Sequence, residues 1–104
     1  MPQYKAPLRE MQFVLHELLN AEEHYAKLPA FQDTVSRELV DQYLEAAADF
    51  CENELSPLNQ VGDREGCTWN DGVVTTPTGF KEAYKKYIEL GFPSLSADEQ
   101  YGGQ

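Results

Sequence analysis

Two histidines are the first residues that could do chemistry, because imidazole can transfer a proton or bind a metal near neutral pH. His16 and His24 lie two turns apart on a helix, which is too far for one metal ion to reach both. The positions three residues before them hold Phe13 and Ala21, so the Glu-x-x-His pattern of di-iron bundles is absent. The pattern therefore predicts that both histidines occupy polar positions on a helix.

The two cysteines are the next candidates, since a thiolate is a strong nucleophile. Cys51 follows Phe50 within a helical pattern, which predicts a buried, inert thiol. Cys67 lies beyond Asp63 and Glu65, whose negative charges disfavour ionisation of the thiol. The residue types and their spacing thus predict no catalytic, cofactor-binding or metal-binding residue in this chain.

Composition limits the kinds of partner. The chain has 104 residues, and its 18 acidic and 8 basic residues give a formal net charge of −10. Such a surface repels phosphate backbones and anionic lipid, so neither nucleic acid nor a membrane is predicted as a partner. Two isolated cysteines without a CxxC pair, and a start without an apolar leader, favour the cytoplasm.

Apolar residues at three- and four-residue steps predict a first helix from Leu8 to Tyr25. Pro7 fits its first turn, where the missing N–H costs no hydrogen bond. The buried face of this helix is expected to hold the apolar residues of the repeat, which are Leu8, Met11, Val14, Leu15, Leu18 and Leu19.

A second helix is predicted from about Thr34 to Leu55, with Thr34 or Ser36 as its cap. Pro57 is expected to loosen its end, and Gly62 to close the segment. Three short helices cannot easily cover its two adjoining apolar stripes, so self-association through this helix is predicted. The stripes are Leu39, Tyr43, Ala47 and Phe50, and Val40, Leu44, Cys51 and Leu55.

Residues 62–79 change in character. The turn Asn70-Asp71-Gly72 between two short runs favours a β-hairpin, and an irregular loop is the open alternative. Thr78 begins a third helix, which Gly91 should stop. The face expected to be buried holds Phe80, Ala83, Tyr84, Tyr87 and Ile88. The predicted fold class is therefore all-α: a small bundle of about three main helices with a short loop or β-hairpin excursion.

Several segments, in this order and spacing, resemble the flavin-dependent acyl-CoA dehydrogenases. They are Tyr4–Arg9, Phe50–Asn59, Val61–Cys67, Gly79–Tyr84, Glu89–Leu95 and Glu99–Gln104. Tyr4–Arg9 together with Phe13–Glu17, and Val61–Cys67, narrow the resemblance to the branch similar to 3-methylmercaptopropionyl-CoA dehydrogenase, which carries an extra N-terminal segment. By this resemblance, residues 1–33 are that extension with the first helix. Residues 34–104 are then the truncated start of the N-terminal helical domain.

The resemblance implies a parent enzyme that binds FAD and dehydrogenates an acyl-CoA between its α and β carbons. In that family the flavin site and the catalytic glutamate belong to later domains, so this chain is expected to be inactive alone. It would shape domain packing and the acyl tunnel, with the remaining domains of the parent and further subunits of a homo-oligomer as partners. Gly102 and Gly103 would set the turn into the next helix, and Tyr101 would pack near that turn.

The end of the chain, Tyr101-Gly102-Gly103-Gln104, favours a fragment that stops within a turn. On this view the parent is an enzyme and the isolated chain is not. A stand-alone helical domain that binds a partner protein is the alternative. A small all-α enzyme is a third hypothesis, and it is disfavoured because no nucleophile–base set is visible.

Overall fold

The computed structural model describes residues 3–104. They form two compact units, one extending to Glu52 and the other from Asn53 onward. Helices dominate, together with one two-stranded antiparallel sheet. The predicted fold class, a small helical domain with a hairpin excursion, is confirmed. The separate division into residues 1–33 and 34–104 stays a prediction, and its first two residues lie outside the described part of the chain.

The N-terminal helical segment of the first unit is interrupted. It consists of helix α1 (Leu8–Gln12), a π-helix (Phe13–Leu18) and helix α2 (Ala21–Ala26). Asn20 has a φ of 48°, a left-handed conformation that asparagine tolerates better than most residues. This left-handed residue breaks the helix, and its side-chain amide donates a hydrogen bond to Glu23 Oε2 at 2.5 Å in the first turn of α2. The prediction of one continuous helix from Leu8 to Tyr25 is therefore wrong at this residue.

The second helical segment is longer than predicted. It consists of helix α3 (Arg37–Phe50), a second π-helix (Cys51–Leu55) and helix α4 (Ser56–Glu65). Ser36 caps α3, since its Oγ accepts a hydrogen bond from Leu39 N–H at 3.1 Å, which confirms one of the two expected caps. Pro57 lies in the first turn of α4, where its missing N–H is tolerated. Pro57 therefore begins a helix and does not loosen one.

Gly62 does not close this segment, contrary to the prediction. It lies inside α4, where an added Cβ would overlap the ring of Phe80, so the absence of a side chain permits close packing. Gly66 ends the helix instead, with a φ of 62°. Its N–H donates to the Gly62 carbonyl at 2.9 Å.

The predicted β-hairpin is present. Strands β1 (Thr68–Asn70) and β2 (Val73–Thr75) are antiparallel, and Trp69 lies opposite Val74. Asp71 and Gly72 have φ values of 50° and 82°, both positive as a type I′ turn requires. The hairpin is thus favoured over the irregular loop, and every residue of both strands is exposed.

Helix α5 spans Phe80–Glu89, and Gly91 follows it with a φ of 82°, as the predicted stop requires. Of its expected inner face only Ala83 is buried, whereas Tyr84 is 63% and Ile88 is 50% exposed. Apolar spacing marks one face of a helix, but it does not set how much of that face the neighbouring elements cover. Two short 3₁₀ turns follow, at Phe92–Ser94 and Glu99–Tyr101.

The buried apolar core of each unit is small. Among the described residues, Phe50 is the one large apolar side chain that is buried, at 6% exposed. The first unit adds Ala21 and Ala48, and the second has Pro77 and Ala83. No helix within residues 3–104 has both the length and the apolar character needed to cross a membrane.

Candidate interaction surfaces

His16 is buried and does not lie on the helix surface as predicted. Its Nε2 lies 2.7 Å from Asp41 Oδ1 of α3, and its side chain is 3% exposed. The π-helix explains the difference, because its wider turns shift the following residues out of α-helical phase. The imidazole turns inward, whereas Leu18 and Leu19 are 67% and 61% exposed. The expected burial of those two leucines is wrong for the same reason.

The His16–Asp41 pair is a structural contact. A carboxylate that orients an imidazole is also found in general-base sites, but a base must reach the proton that it removes. A side chain that is 3% exposed offers no such access to a substrate. His24 is exposed, and its ring meets Tyr25 edge-on at 5.5 Å. The described residues contain no cluster of His, Cys, Asp and Glu that could hold a metal ion.

Further polar contacts join the N-terminal segment to α3 and the residues that follow it within the first unit. Lys5 Nζ lies 3.4 Å from Glu52 Oε1, and Arg37 Nη2 lies 3.5 Å from Glu17 Oε1. Glu22 Oε2 accepts a hydrogen bond from the Arg37 backbone N–H at 2.7 Å, which adds a second cap to α3. The partners occur in opposite order along the two segments, so the N-terminal segment runs antiparallel to α3.

In the second unit, one carboxylate closes the base of the hairpin. Glu65 Oε2 accepts hydrogen bonds from Thr78 N–H at 2.8 Å and from Thr78 Oγ1 at 3.0 Å. The backbone hydrogen bond and then the hydroxyl hydrogen bond hold the pKa of Glu65 below its usual range. This Glu65–Thr78 clamp joins the residues that flank the excursion. Beyond it, Trp69 is 72% and Val74 is 63% exposed.

The C-terminal residues form a turn that is held by backbone hydrogen bonds. The Gly103 N–H donates to the Asp98 carbonyl at 3.0 Å, and a Cβ at Gly103 would overlap the Ala97 carbonyl. Gly102 has a φ of 88°, and Tyr101 is 80% exposed. Glycine is therefore required here for close backbone approach and for positive φ. That this turn leads into a further helix stays a prediction.

Neither thiol is paired within the described chain: Cys51 is half-buried and Cys67 is exposed. Every buried side-chain nitrogen or oxygen among the described residues has a hydrogen-bond partner.

Two sequence signals could have revealed contacts that the periodicity missed. Asn20 followed three residues later by Glu23 matches the spacing of a capping box, which marks a helix start. Glu65 and Thr78 flank the hairpin. A carboxylate at this position can accept a hydrogen bond from a backbone N–H just before the next helix. No comparable signal marks His16, because its burial depends on the π-helix.

Comparison with curated proteins finds one clear relative. The chain is 33% identical over 102 residues to the 3-methylmercaptopropionyl-CoA dehydrogenase of Ruegeria pomeroyi. The match covers 96% of this chain but only 17% of the relative. No protein-family model matches the chain. The resemblance predicted from the sequence is therefore confirmed: this chain is similar over nearly its whole length to part of an acyl-CoA dehydrogenase of the 3-methylmercaptopropionyl-CoA dehydrogenase branch.

Proposed function

We propose that this chain is the N-terminal helical part of a flavin-dependent acyl-CoA dehydrogenase. The observation that carries the proposal is the coverage of the sequence match, which includes 96% of this chain but only 17% of the relative. The parent would introduce a double bond between the α and β carbons of an acyl-CoA. Its proposed substrate is 3-methylmercaptopropionyl-CoA, after the name of the relative, and its proposed location is the cytoplasm.

The role of this chain would be to pack against the rest of the enzyme and to shape the far end of the acyl tunnel. Residues 1–33 would be an extension, and residues 34–104 the start of the helical domain. The His16–Asp41 pair supports this role, because the buried imidazole of His16 fixes the extension on α3. The exposed apolar side chains would be covered by the remaining domains or by other subunits of a homo-oligomer.

The C-terminal turn would connect this part to the next helix. Gly102 and Gly103 supply the backbone freedom that such a turn needs. Tyr101, at 80% exposed, would pack near the turn once the following residues are present. These three residues are positioning residues in the proposal, and none of them is assigned a catalytic role.

By the family resemblance, FAD would be held by later domains of the parent and not by the residues described here. In the parent the flavin supplies the hydride acceptor, and the protein supplies orientation and a base. Neither group can be replaced by the orientation of a substrate alone. The isolated chain is therefore expected to be catalytically inactive.

The test is a titration of the isolated chain with FAD, followed by a turnover assay with 3-methylmercaptopropionyl-CoA and an artificial electron acceptor. The proposal predicts an unchanged flavin spectrum and no turnover above the blank. Micromolar binding with a shifted spectrum, or measurable turnover, would overturn the assignment. The Phe50→Ala variant, whose core is damaged, serves as a control for non-specific flavin adsorption.

A stand-alone helical domain that binds a partner protein is the second candidate. The observation that favours it is the exposure of large apolar side chains in both units, such as Leu18 at 67% and Trp69 at 72%. The two candidates differ in one respect. Only an enzyme segment should be able to replace the matched residues of the R. pomeroyi relative.

A further inference from the structure

The hairpin of the second unit has an unusual combination of features. A two-stranded ribbon is marginal by itself, and three or more strands with an apolar face are needed for stability. Here both strands are exposed along their full length, and the described chain adds no third strand. Natural edge strands are commonly protected by charged residues, above all lysine, or by proline. Strands β1 and β2 contain none of these.

The edge of β2 that faces away from β1 has no neighbouring strand in the described chain. Residues of an antiparallel pair alternate between those that exchange hydrogen bonds with the partner and those that do not. In a two-residue hairpin the pair next to the turn, Asn70 and Val73, exchanges hydrogen bonds. Val74 therefore directs its N–H and C=O away from β1, toward the open edge.

Charge favours a second copy of the chain at this edge. The chain carries a net charge of −10, so two copies repel each other over most of their surfaces. Residues 66–79 carry a single charged side chain, Asp71, which lies in the turn. The hairpin is therefore the segment where two copies can approach with little repulsion, and the Glu65–Thr78 clamp fixes its base.

We propose that two copies of this chain associate through antiparallel pairing of their β2 strands about a two-fold axis at Val74. The two Val74 residues then exchange both N–H···O=C bonds, and the sheet becomes four-stranded in the order β1, β2, β2, β1. Residues directly opposite in an antiparallel sheet share a face. The two Trp69 and two Val74 side chains thus form one apolar row across the sheet. This self-pairing is independent of the enzymatic role proposed above.

The site differs from the one that the sequence predicts for self-association. The stripes of the second helix are mostly half-buried, and Phe50 is buried at 6%. Leu55 at the end of one stripe is 42% exposed, but Val74 is 63% exposed and also offers a backbone edge. A hairpin edge supplies directional hydrogen bonds, which an apolar helix face does not.

The experiment is sedimentation equilibrium over a range of concentrations, with far-UV circular dichroism as the check on folding. The wild type is expected to form a dimer. Val74→Pro keeps the hairpin bonds but removes the outward N–H, and loss of two backbone hydrogen bonds should weaken dimerisation about thirtyfold. Val74→Thr keeps both the N–H and the strand propensity, and it should dimerise like the wild type.

A charge pair tests the register directly. Val74→Lys and Val74→Glu should each be monomeric, because like charges would lie directly opposite each other across the axis. A mixture of the two variants in equal amounts should dimerise, because each lysine then faces a glutamate. A monomeric wild type, or a dimer that Val74→Pro, Val74→Lys and Val74→Glu leave unchanged, would overturn the proposal. Neither result would bear on the FAD and turnover tests of the enzymatic assignment.

Discussion

The two compact units differ in what holds them together. In the first unit, side chains far apart in sequence meet: His16 reaches Asp41, and Lys5 reaches Glu52. In the second unit, one such contact joins Lys86 Nζ to Glu54 Oε1 at 2.5 Å. The backbone there is shaped mainly by turns, with positive φ at glycines that include Gly66, Gly79 and Gly91. The comparison suggests that the first unit depends on a few specific side chains, whereas the second depends on backbone conformation and a few clamps such as Glu65–Thr78.

The largest effect is expected from the core of the first unit. Phe50→Ala should destabilise the chain by about 3–5 kcal/mol, because Phe50 is the one large apolar side chain buried among the described residues. Glu45→Ala, on the exposed side of the same helix, should change the free energy of unfolding by less than about 0.5 kcal/mol. Urea unfolding measures both variants. Equal midpoints would show that Phe50 is not a core residue.

The partly buried contact between His16 and Asp41 in the same unit should have the next largest effect. His16→Ala removes the partner of Asp41 and should cost about 0.5–1.5 kcal/mol, the usual net contribution of a hydrogen bond, because Asp41 is partly exposed to water. His24→Ala is the matched control, because His24 is exposed and should change stability by less than about 0.5 kcal/mol. If both variants unfold at the same urea concentration, the interpretation of His16 as a structural contact fails.

In the second unit, the clamp at the base of the hairpin should depend on pH. The Thr78 hydrogen bonds lower the pKa of Glu65, so the carboxylate is favoured in the folded state. The stabilisation is present above the pKa of the unfolded chain and is lost as the pH falls through the lower pKa of the folded chain. The protection factor of the Thr78 amide, which is the intrinsic exchange rate divided by the observed rate at the same pH, should therefore fall on acidification in the wild type.

Glu65→Gln is the control for this pH effect, since an amide does not titrate in this range. The exchange rate of Thr78 in that variant should follow only the intrinsic pH dependence of exchange. An identical pH profile for wild type and variant would show that the carboxylate does not hold the hairpin. Helix signals of the first unit should stay unchanged in both proteins.

Lys5→Ala should have the smallest effect. The Lys5 side chain is 80% exposed where it meets Glu52, and exposed ion pairs contribute less than about 1 kcal/mol. Added salt should abolish even that contribution. A loss of stability comparable to that of His16→Ala would mean that the ends of the two segments, and not the buried pair, hold the first unit together.

Local chemistry in the sequence was sufficient to predict several features. The Ser36 cap, the Asp71-Gly72 turn and the Gly91 stop depend on neighbouring residues only. Features that depend on long-range packing were missed. Gly62 is predicted as a helix end because the sequence does not show its close contact with the Phe80 ring. The π-helix that buries the His16 side chain likewise does not change the spacing of apolar residues in the sequence.

The candidate site could be predicted only as a resemblance, because the residue types and spacings in the sequence indicate no catalytic set. Tyr101, Gly102 and Gly103 were expected at a turn, and the structure has a turn there, while their function in the parent stays a prediction. The exposed hairpin face could not be foreseen, because exposure depends on what the rest of the fold leaves uncovered. The Glu65–Thr78 clamp likewise appears only in three dimensions.

The central claim is that this chain serves as a segment of an acyl-CoA dehydrogenase, and a chimaera tests it most directly. The matched residues of the R. pomeroyi enzyme would be replaced by this chain, and both FAD content and turnover of 3-methylmercaptopropionyl-CoA would be measured. We expect the chimaera to retain FAD and turnover, and expect Phe50→Ala within it, like deletion of the segment, to lose both. A folded chimaera with no more FAD and no more turnover than the deletion would contradict the account.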